Sequence, residues 1–473
     1  MQRKRLAVLL VIVLAGLGCF AIVNSQPTTT PTYYSHIEQI ISNNCLGCHI
    51  TGGIATFSLE KPETVQRLAS GIKYAVENNL MPPWPPSPET PAMHNERKLK
   101  PEDKTTLLAW INSGAPLGDL SQRPATTPAQ APPAPKPDRL VAMDTAYTPN
   151  RALTDDYRCF LIDPKIESDT FVTSYGITPG LKNVVHHVVL YTLPSEYVEM
   201  AQEHDRAEEG PGWTCFGGPG VMGAGSFLDG NIGFWVPGTI GTVFPEGTGR
   251  FVKAGTHIIM QMHYSIANLR ANESDVTQAS LGLARDKTQL ATLSDFLLVA
   301  PVEIRCPGDY PTDPKNPCNR VYAMERTTMS REANSIHRQC RTTVDYFQTR
   351  HVGDGSKQEM NCTYPVRSDS LALGVLLHLH LRGTITQIIL NPDTPSAKVL
   401  LQIPRWDFYW QGEYWFKEPI ALKAGDRLKI SCTYDNSGPI SGPDKKPIEP
   451  RYITWGENTT DEMCVGGVTF VSK

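Results

Sequence analysis

A chain of 473 residues has room for two to four domains, and a hydrophobic content of 40% excludes wholesale disorder. Its 37 glycines and 39 prolines exceed the usual share and exclude a helical bundle in favour of turns, short strands and linkers. A net charge of −4, with no basic block beyond Arg3-Lys4-Arg5, excludes a nucleic-acid binder.

In chain order, the first expected element is an export signal. The cationic start is followed by Leu6–Val23, a charge-free run that is long for a signal core and short for a membrane span. Val23-Asn24-Ser25 offers a cleavage site. An uncleaved anchor over residues 1–25 and a lipoprotein modified at Cys19 are the alternatives, and all three place the body outside the cytoplasm.

Residues 33–120 come next and read as helical. His36–Asn44 places Ile37, Ile40 and Ile41 on one face, and Pro101–Ser113 carries Leu107, Leu108 and Ile111 before Gly114, a helix-ending residue. Between them stands Cys45-Leu46-Gly47-Cys48-His49, a C-x-x-C-H run. Two thiols at this spacing can form thioethers to a haem while the adjacent His49 binds the iron. Met81, in Leu80-Met81-Pro82-Pro83-Trp84, is the first candidate for the sixth ligand; Met93, His94 and His36 compete. On the C-x-x-C-H run, the MPPW loop and the closing Trp110–Pro116 stretch, the block resembles a small class I cytochrome c. That resemblance implies a covalent haem c and an electron carrier.

Residues 121–138 hold six prolines and read as an extended linker, up to roughly 55 Å long at about 3.1 Å per residue. Beyond it the texture changes to short β-branched or apolar runs, Val184–Tyr191, His257–Tyr264 and Leu371–Leu390. These suggest two β-sandwich or jelly-roll domains, 139–290 and 291–473, with little helix and a loop-rich insertion over 303–362. The expected fold class is therefore a small all-α cytochrome c domain followed by two all-β jelly-roll domains. Apart from Cys19, Cys45 and Cys48, the cysteines are Cys159, Cys215, Cys306, Cys318, Cys340, Cys362, Cys432 and Cys464. An even set in an exported chain predicts four disulfides.

The histidines are clustered. His186-His187 is an adjacent pair, His263 closes Gln261-Met262-His263-Tyr264, and His378-Leu379-His380 is an i, i+2 pair. Alternation in a strand puts His378 and His380 on one face, where both can grip one ion. Adjacent residues point apart, so His186-His187 needs a bulge, an edge or a third ligand. Histidines alone leave zinc, copper, nickel and iron open. A methionine ligand would favour Cu(I), and Met463 stands in Asp461-Glu462-Met463-Cys464.

H-H, Q-x-H-Y, H-x-H and D-E-M-C, in this order, resemble the copper type II, ascorbate-dependent monooxygenases, the family of peptidylglycine α-hydroxylating and dopamine β-monooxygenases. Asp156-Tyr157-Arg158-Cys159 and Ile403-Pro404-Arg405-Trp406-Asp407 add to the likeness, which covers residues 139–473. It implies two copper ions facing each other across a solvent-filled cleft. His186, His187 and His263 would form an electron-transfer site, with His257 the runner-up for the third ligand. His378, His380 and Met463 would bind O2, and Cys432–Cys464 would be the disulfide beside the methionine. Where the peptide-amidating members grip a carboxylate, this chain has Leu376, Val465 and Gly467, which argues against a peptidylglycine substrate. The expected function is an exported monooxygenase that hydroxylates an unactivated C–H bond with O2. Electrons would come from ascorbate or a redox protein and pass through the haem to the His186–His187–His263 site. The alternative is a non-enzymatic haem–copper electron-transfer or copper-binding protein.

Overall fold

The computed structural model describes residues 30–51, 55–94, 96–124, 137–153, 155–215, 218–225, 230–236, 241–266, 269–285, 290–309, 311–327, 329–348, 357–408, 410–442, 446–456 and 459–473. The expected export signal, with its cleavage site and Cys19, lies outside the described residues, as does most of the proline-rich segment.

The protein is mostly β, with strands gathered into several small sheets. A five-stranded sheet runs Trp213–Thr214, Asp155–Ile162, His257–Ser265, Val185–Leu193, Asn231–Trp235. A six-stranded sheet is centred on Thr170–Thr178 and Gln278–Leu283. The two bury a common core that includes Phe160, Val188, Met260 and Tyr264 from the first and Val172, Tyr175 and Leu281 from the second. The chain then crosses to other sheets at the buried Leu293. Ala291–Thr292 still pairs with Thr248–Gly249, whereas Ser294–Val299 pairs with Val465–Phe470.

The C-terminal half has two four-stranded sheets. One runs Ser294–Val299, Val465–Ser472, Ser370–His378, Glu413–Leu422, and the other Lys357–Pro365, Arg427–Asp435, Gly383–Leu390, Lys398–Ile403. Sequence periodicity explains their places. Lys357–Pro365 alternates, burying Gln358, Met360, Cys362 and Tyr364 on one face. Ser370–His378 is apolar almost throughout and sits between two partners, buried on both faces. The halves touch directly: the Phe244 and Trp415 rings lie 5.5 Å apart, and Leu373, Trp415 and Val471 join the N-terminal core.

The expected fold class needs correction. The structure does not show a distinct all-α cytochrome c domain ahead of two all-β ones. It shows a predominantly β chain with eight short α-helices spread along its described length. Glu38–Asn44, Pro62–Arg67, Ala69–Glu77 and Pro101–Asn112 do gather around Ile37, Ile41, Val65, Leu107 and Trp110. The stretch between the last two, however, leaves that cluster and joins the C-terminal sheets. Met93 is 1% exposed within the C-terminal core, a burial worth about 1.5–3 kcal/mol.

After residue 139 helix is scarce among the described residues, as expected, and confined to short pieces. Val198–Arg206, Arg320–Arg326, Ser330–Cys340 and Val344–Gln348 are helical. Each is three turns or fewer, too short for a clear apolar period; Ser330–Cys340 buries only Ala333, Ile336 and His337.

Four disulfides are formed: Cys159–Cys215, Cys306–Cys318, Cys340–Cys362 and Cys432–Cys464. They point to an oxidising, extracytoplasmic compartment. Among the described residues, no helix is long and apolar enough to cross a membrane.

Candidate metal centres

Two adjacent strands build the first centre. In the register of Val185–Leu193 against His257–Ser265, His187 lies opposite His263 and the pairing shifts between Val185 and His187. His186 is thus the extra residue of a β-bulge, which turns its side chain to the same side as its neighbour. The bulge resolves the difficulty of two adjacent histidines. The Nδ1 atoms of His186 and His187 each lie 3.2 Å from Nδ1 of His263, and the three residues form one candidate metal-holding group.

The surroundings set the protonation of this triad. His263 Nε2 lies 2.8 Å from the Asp155 carboxylate, which can only accept, so Nε2 carries the proton and Nδ1 keeps its lone pair. Burial holds His187 and His263 well below the ordinary imidazole range and takes His186 down to about 4. Neutral imidazole is the form that binds a metal. Tyr157 faces His263 in the strand register and stacks on its ring at 4.2 Å. His257 starts the same strand opposite Leu193, with Nδ1 3.0 Å from the Gly255 carbonyl, away from the triad.

The second centre stands where the strand Ser370–His378 ends. His380 lies beyond the strand because the Glu462 carboxylate, rather than the ladder, takes the N–H groups of His380 (2.9 Å) and Arg382 (2.5 Å). The two rings are 5.1 Å apart. His378 Nδ1 donates to Gln411 Oε1 at 2.7 Å, and His380 Nδ1 to the Asp461 carbonyl at 3.1 Å. The Nδ1 atom of each imidazole is thus engaged as a hydrogen-bond donor. Val465 pairs with His378, so Met463 sits two residues away at the mouth of the same sheet. Tyr434 Oη donates to the Met463 carbonyl at 2.7 Å, and Cys464 is bonded to Cys432 next door. Leu376, two residues before His378, is buried and faces Gly467.

Phe408 lies between the two centres. Its ring is 6.4 Å from that of His186 and 6.1 Å from that of His380. Gln411 Nε2 donates to the Phe408 carbonyl at 2.8 Å, tying this loop to the His378 partner. A wide solvent-filled gap between the clusters is not what these contacts describe.

Around the C-x-x-C-H run, the turn after Glu38–Asn44 is closed by the N–H groups of Cys48 and His49 donating to the Cys45 carbonyl. His49 Nδ1 lies 3.2 Å from the Phe57 carbonyl, which leaves Nε2 for a metal. Cys45 and Cys48 are not joined in a disulfide. Burial pushes the Cys45 thiol up to about 12. Met81 follows Ala69–Glu77 at a cis Met81–Pro82 bond; among the described contacts, none joins it to His49. Of its competitors, Met93 belongs to the C-terminal core, His94 donates its N–H to the Trp415 carbonyl, and His36 Nδ1 accepts from the Thr32 N–H.

Asp155, Phe408 and Gln411 escaped the sequence reading. Asp155 adjoins the Asp156–Cys159 motif, and Phe408 follows the Ile403–Asp407 motif, so both had a signal; Gln411 had none.

No family model and no curated protein matches the chain. Among solved structures, a subviral particle of infectious bursal disease virus VP2 covers 71% of this chain and 71% of its own at 6% identity and a TM-score of 0.18. An allantoicase covers 58% and 73% at 10% identity and 0.14. An oxalate decarboxylase from Bacillus subtilis covers 67% and 70% at 6% identity and 0.13. At such TM-scores none of these likenesses carries an argument about fold or chemistry.

Proposed function

We propose that this chain is an exported copper monooxygenase of the ascorbate-dependent type II kind, hydroxylating an unactivated C–H bond with O2 and carrying its own haem c. One observation carries the reading: a neutral triad of part-buried His186 and His187 with buried His263, beside a His378–His380 pair, with Met463 two residues before Val465, the strand partner of His378. Nitrogen donors alone suit several metals, and a thioether in the second set favours copper. The residues fit. The Nδ1 atoms of the triad converge, and both Nδ1 atoms of the pair are spent on acceptors. For the haem, the unbonded Cys45 and Cys48 and the oriented His49 fit.

Copper held by His186, His187 and His263 and by His378, His380 and Met463 would supply one-electron redox chemistry and O2 activation, and a haem held by Cys45, Cys48 and His49 would supply an entry point for electrons from ascorbate or a redox protein. The chain's own groups do the rest. Asp155 holds the His263 tautomer, and Gln411 and the Asp461 carbonyl hold those of His378 and His380. Tyr434 and the Cys432–Cys464 bond keep the Met463 segment in place. Leu376 and Val465 favour an uncharged organic substrate over peptidylglycine, because a carboxylate there would be buried without a cation.

The test is metal analysis with electron paramagnetic resonance on protein matured in an oxidising compartment. Two type 2 coppers and one low-spin haem per chain are expected, with His378→Ala and His263→Ala each removing one copper signal. Zinc in the triad, or a chain without haem, would sink the reading. Copper and haem that cycle without hydroxylated product would favour an electron-transfer protein.

A further inference from the structure

The segment 303–362 is organised around one buried carboxylate. Glu303 is 0% exposed. It accepts from Arg320 Nη2 at 2.8 Å and Nε at 2.9 Å, from His337 Nε2 at 2.9 Å and from Tyr452 Oη at 2.7 Å. Burial would raise this carboxyl, but the donors outweigh it and hold it below the ordinary carboxylate range. They come from separate elements. Arg320 opens the helix Arg320–Arg326, and His337 lies on Ser330–Cys340, which the Cys340–Cys362 bond ties to the strand Lys357–Pro365. Tyr452 lies more than a hundred positions further on. An ionised carboxylate satisfies all three at once, whereas a buried charge stripped of its partner is costly. None of these residues belongs to either candidate metal centre.

The cluster reaches the C-terminal centre through the stretch that holds Tyr452. Glu303–Ile304 pairs with Ile453–Thr454, and the Pro317 carbonyl takes the Tyr452 N–H at 2.9 Å. Thr327 Oγ1 donates to the Trp455 carbonyl at 3.2 Å. The same stretch then clasps residues 460–462. Arg451 Nη2 donates to the Thr460 carbonyl at 2.9 Å and to the Asp461 carboxylate at 2.7 Å. Trp455 bridges to Glu462, and the Gly456 N–H donates to the Glu462 carbonyl at 3.1 Å. Gly456 lies so close that a Cβ there would fall 2.5 Å from Asp461 Oδ2. Glu462 and Asp461 in turn hold His380, one by its N–H and the other by its ring, and Met463 is the next residue in the chain.

We propose that Glu303 is a positioning residue for the C-terminal centre. Through Tyr452 and residues 451–456 it fixes Asp461, Glu462 and Met463, and with them His380. The segment 303–362 is then a brace for this centre alone. The triad does not share it, because its strands pair with neighbours in the N-terminal half. The inference rests on the reading of His378, His380 and Met463 as ligands, while the bracing itself concerns only the chain's own groups.

The test uses the full chain, first free of metal. Amide hydrogen exchange read by mass spectrometry compares residues 376–382 and 459–465 with the triad strands, 185–193 and 257–265. Tyr452→Phe removes one hydrogen bond to a charged acceptor and keeps the ring. It should speed exchange in the first two segments about tenfold and leave the triad strands unchanged. Glu303→Gln should do at least as much, and Glu303→Asp, which keeps the charge, less. Gly456→Ala, which pushes Asp461 aside without touching the cluster, should loosen the same two segments. In copper-loaded protein, a chelator titration should strip the Cu(II) signal that His378→Ala removes at about tenfold lower chelator in Tyr452→Phe than in the wild type. The signal that His263→Ala removes should not move, whereas a general loss of stability would shift both. Unchanged exchange in Tyr452→Phe, or equal acceleration in all four segments, overturns the inference. If Glu303→Gln fails to fold, Tyr452→Phe decides alone. A wild-type chain that takes up no copper sinks the functional reading and leaves the exchange result standing, so the two failures are distinguishable.

Discussion

His263 shows how much one side chain's chemistry depends on its partner. Its Nδ1 can serve a metal only while Nε2 keeps the proton, and the Asp155 carboxylate at 2.8 Å holds it there. Removing such a partner costs about 10- to 100-fold in metal affinity, because the ring is then free to change tautomer and to turn. Asp155→Ala should therefore weaken the proposed copper binding at the triad by about that factor and leave the proposed His378–His380–Met463 centre unchanged. Competition with a chelator of known affinity checks it, and equal affinities in the two proteins would remove Asp155 from the site.

At the scale of elements, both centres lie where regular strand pairing breaks. The bulge at His186 spoils one ladder, and Glu462 intercepts the N–H groups that would have extended another. Such places need bracing. The Cys432–Cys464 bond joins the strand Arg427–Asp435 to the residue after Met463 across 32 positions. Loss of a native disulfide costs about 2–5 kcal/mol. The double change Cys432→Ala and Cys464→Ala should lower the thermal midpoint and, on the proposed copper reading, lose metal from the C-terminal centre before the triad. An unaltered melting curve with both coppers retained would show that the loop holds Met463 without the bond.

Across the whole molecule, the two β halves meet on a part-buried carboxyl. Tyr175 Oη donates to Glu413 at 3.2 Å beside the Arg250–Asp295 ion pair. Burial raises the Glu413 carboxyl from 4.5 to about 7, against the opposing pull of Arg250. The folded chain thus holds this proton more tightly than the unfolded one. The resulting stability is complete below about pH 4.5 and is lost as pH rises through about 7, on the order of 3 kcal/mol in all. Glu413→Gln, neutral at every pH, should lose less stability than the wild type across that window. Denaturant unfolding at pH 4.5, 6 and 8 measures the difference, and parallel losses would place the titration elsewhere.

The sequence by itself determined the local residue patterns. The C-x-x-C-H run, the three histidine clusters and Met463 are patterns of neighbouring residues, and neighbours in a chain stay neighbours in the fold. The even set of eight cysteines likewise foretold four disulfides, and the isoleucines of His36–Asn44 announced a helix. Only the tertiary structure decided what depends on distant partners. Asp155, Gln411 and Phe408 are 108, 33 and 222 positions from the histidines they serve or face, and no periodicity encodes such a meeting. The expected separate cytochrome domain failed for the same reason. Residues 81–97 hold too few apolar side chains to announce a partner. Met93 and Trp84 nonetheless bury themselves against the C-terminal sheets, where the apolar surface to receive them is assembled from strands more than 300 residues away.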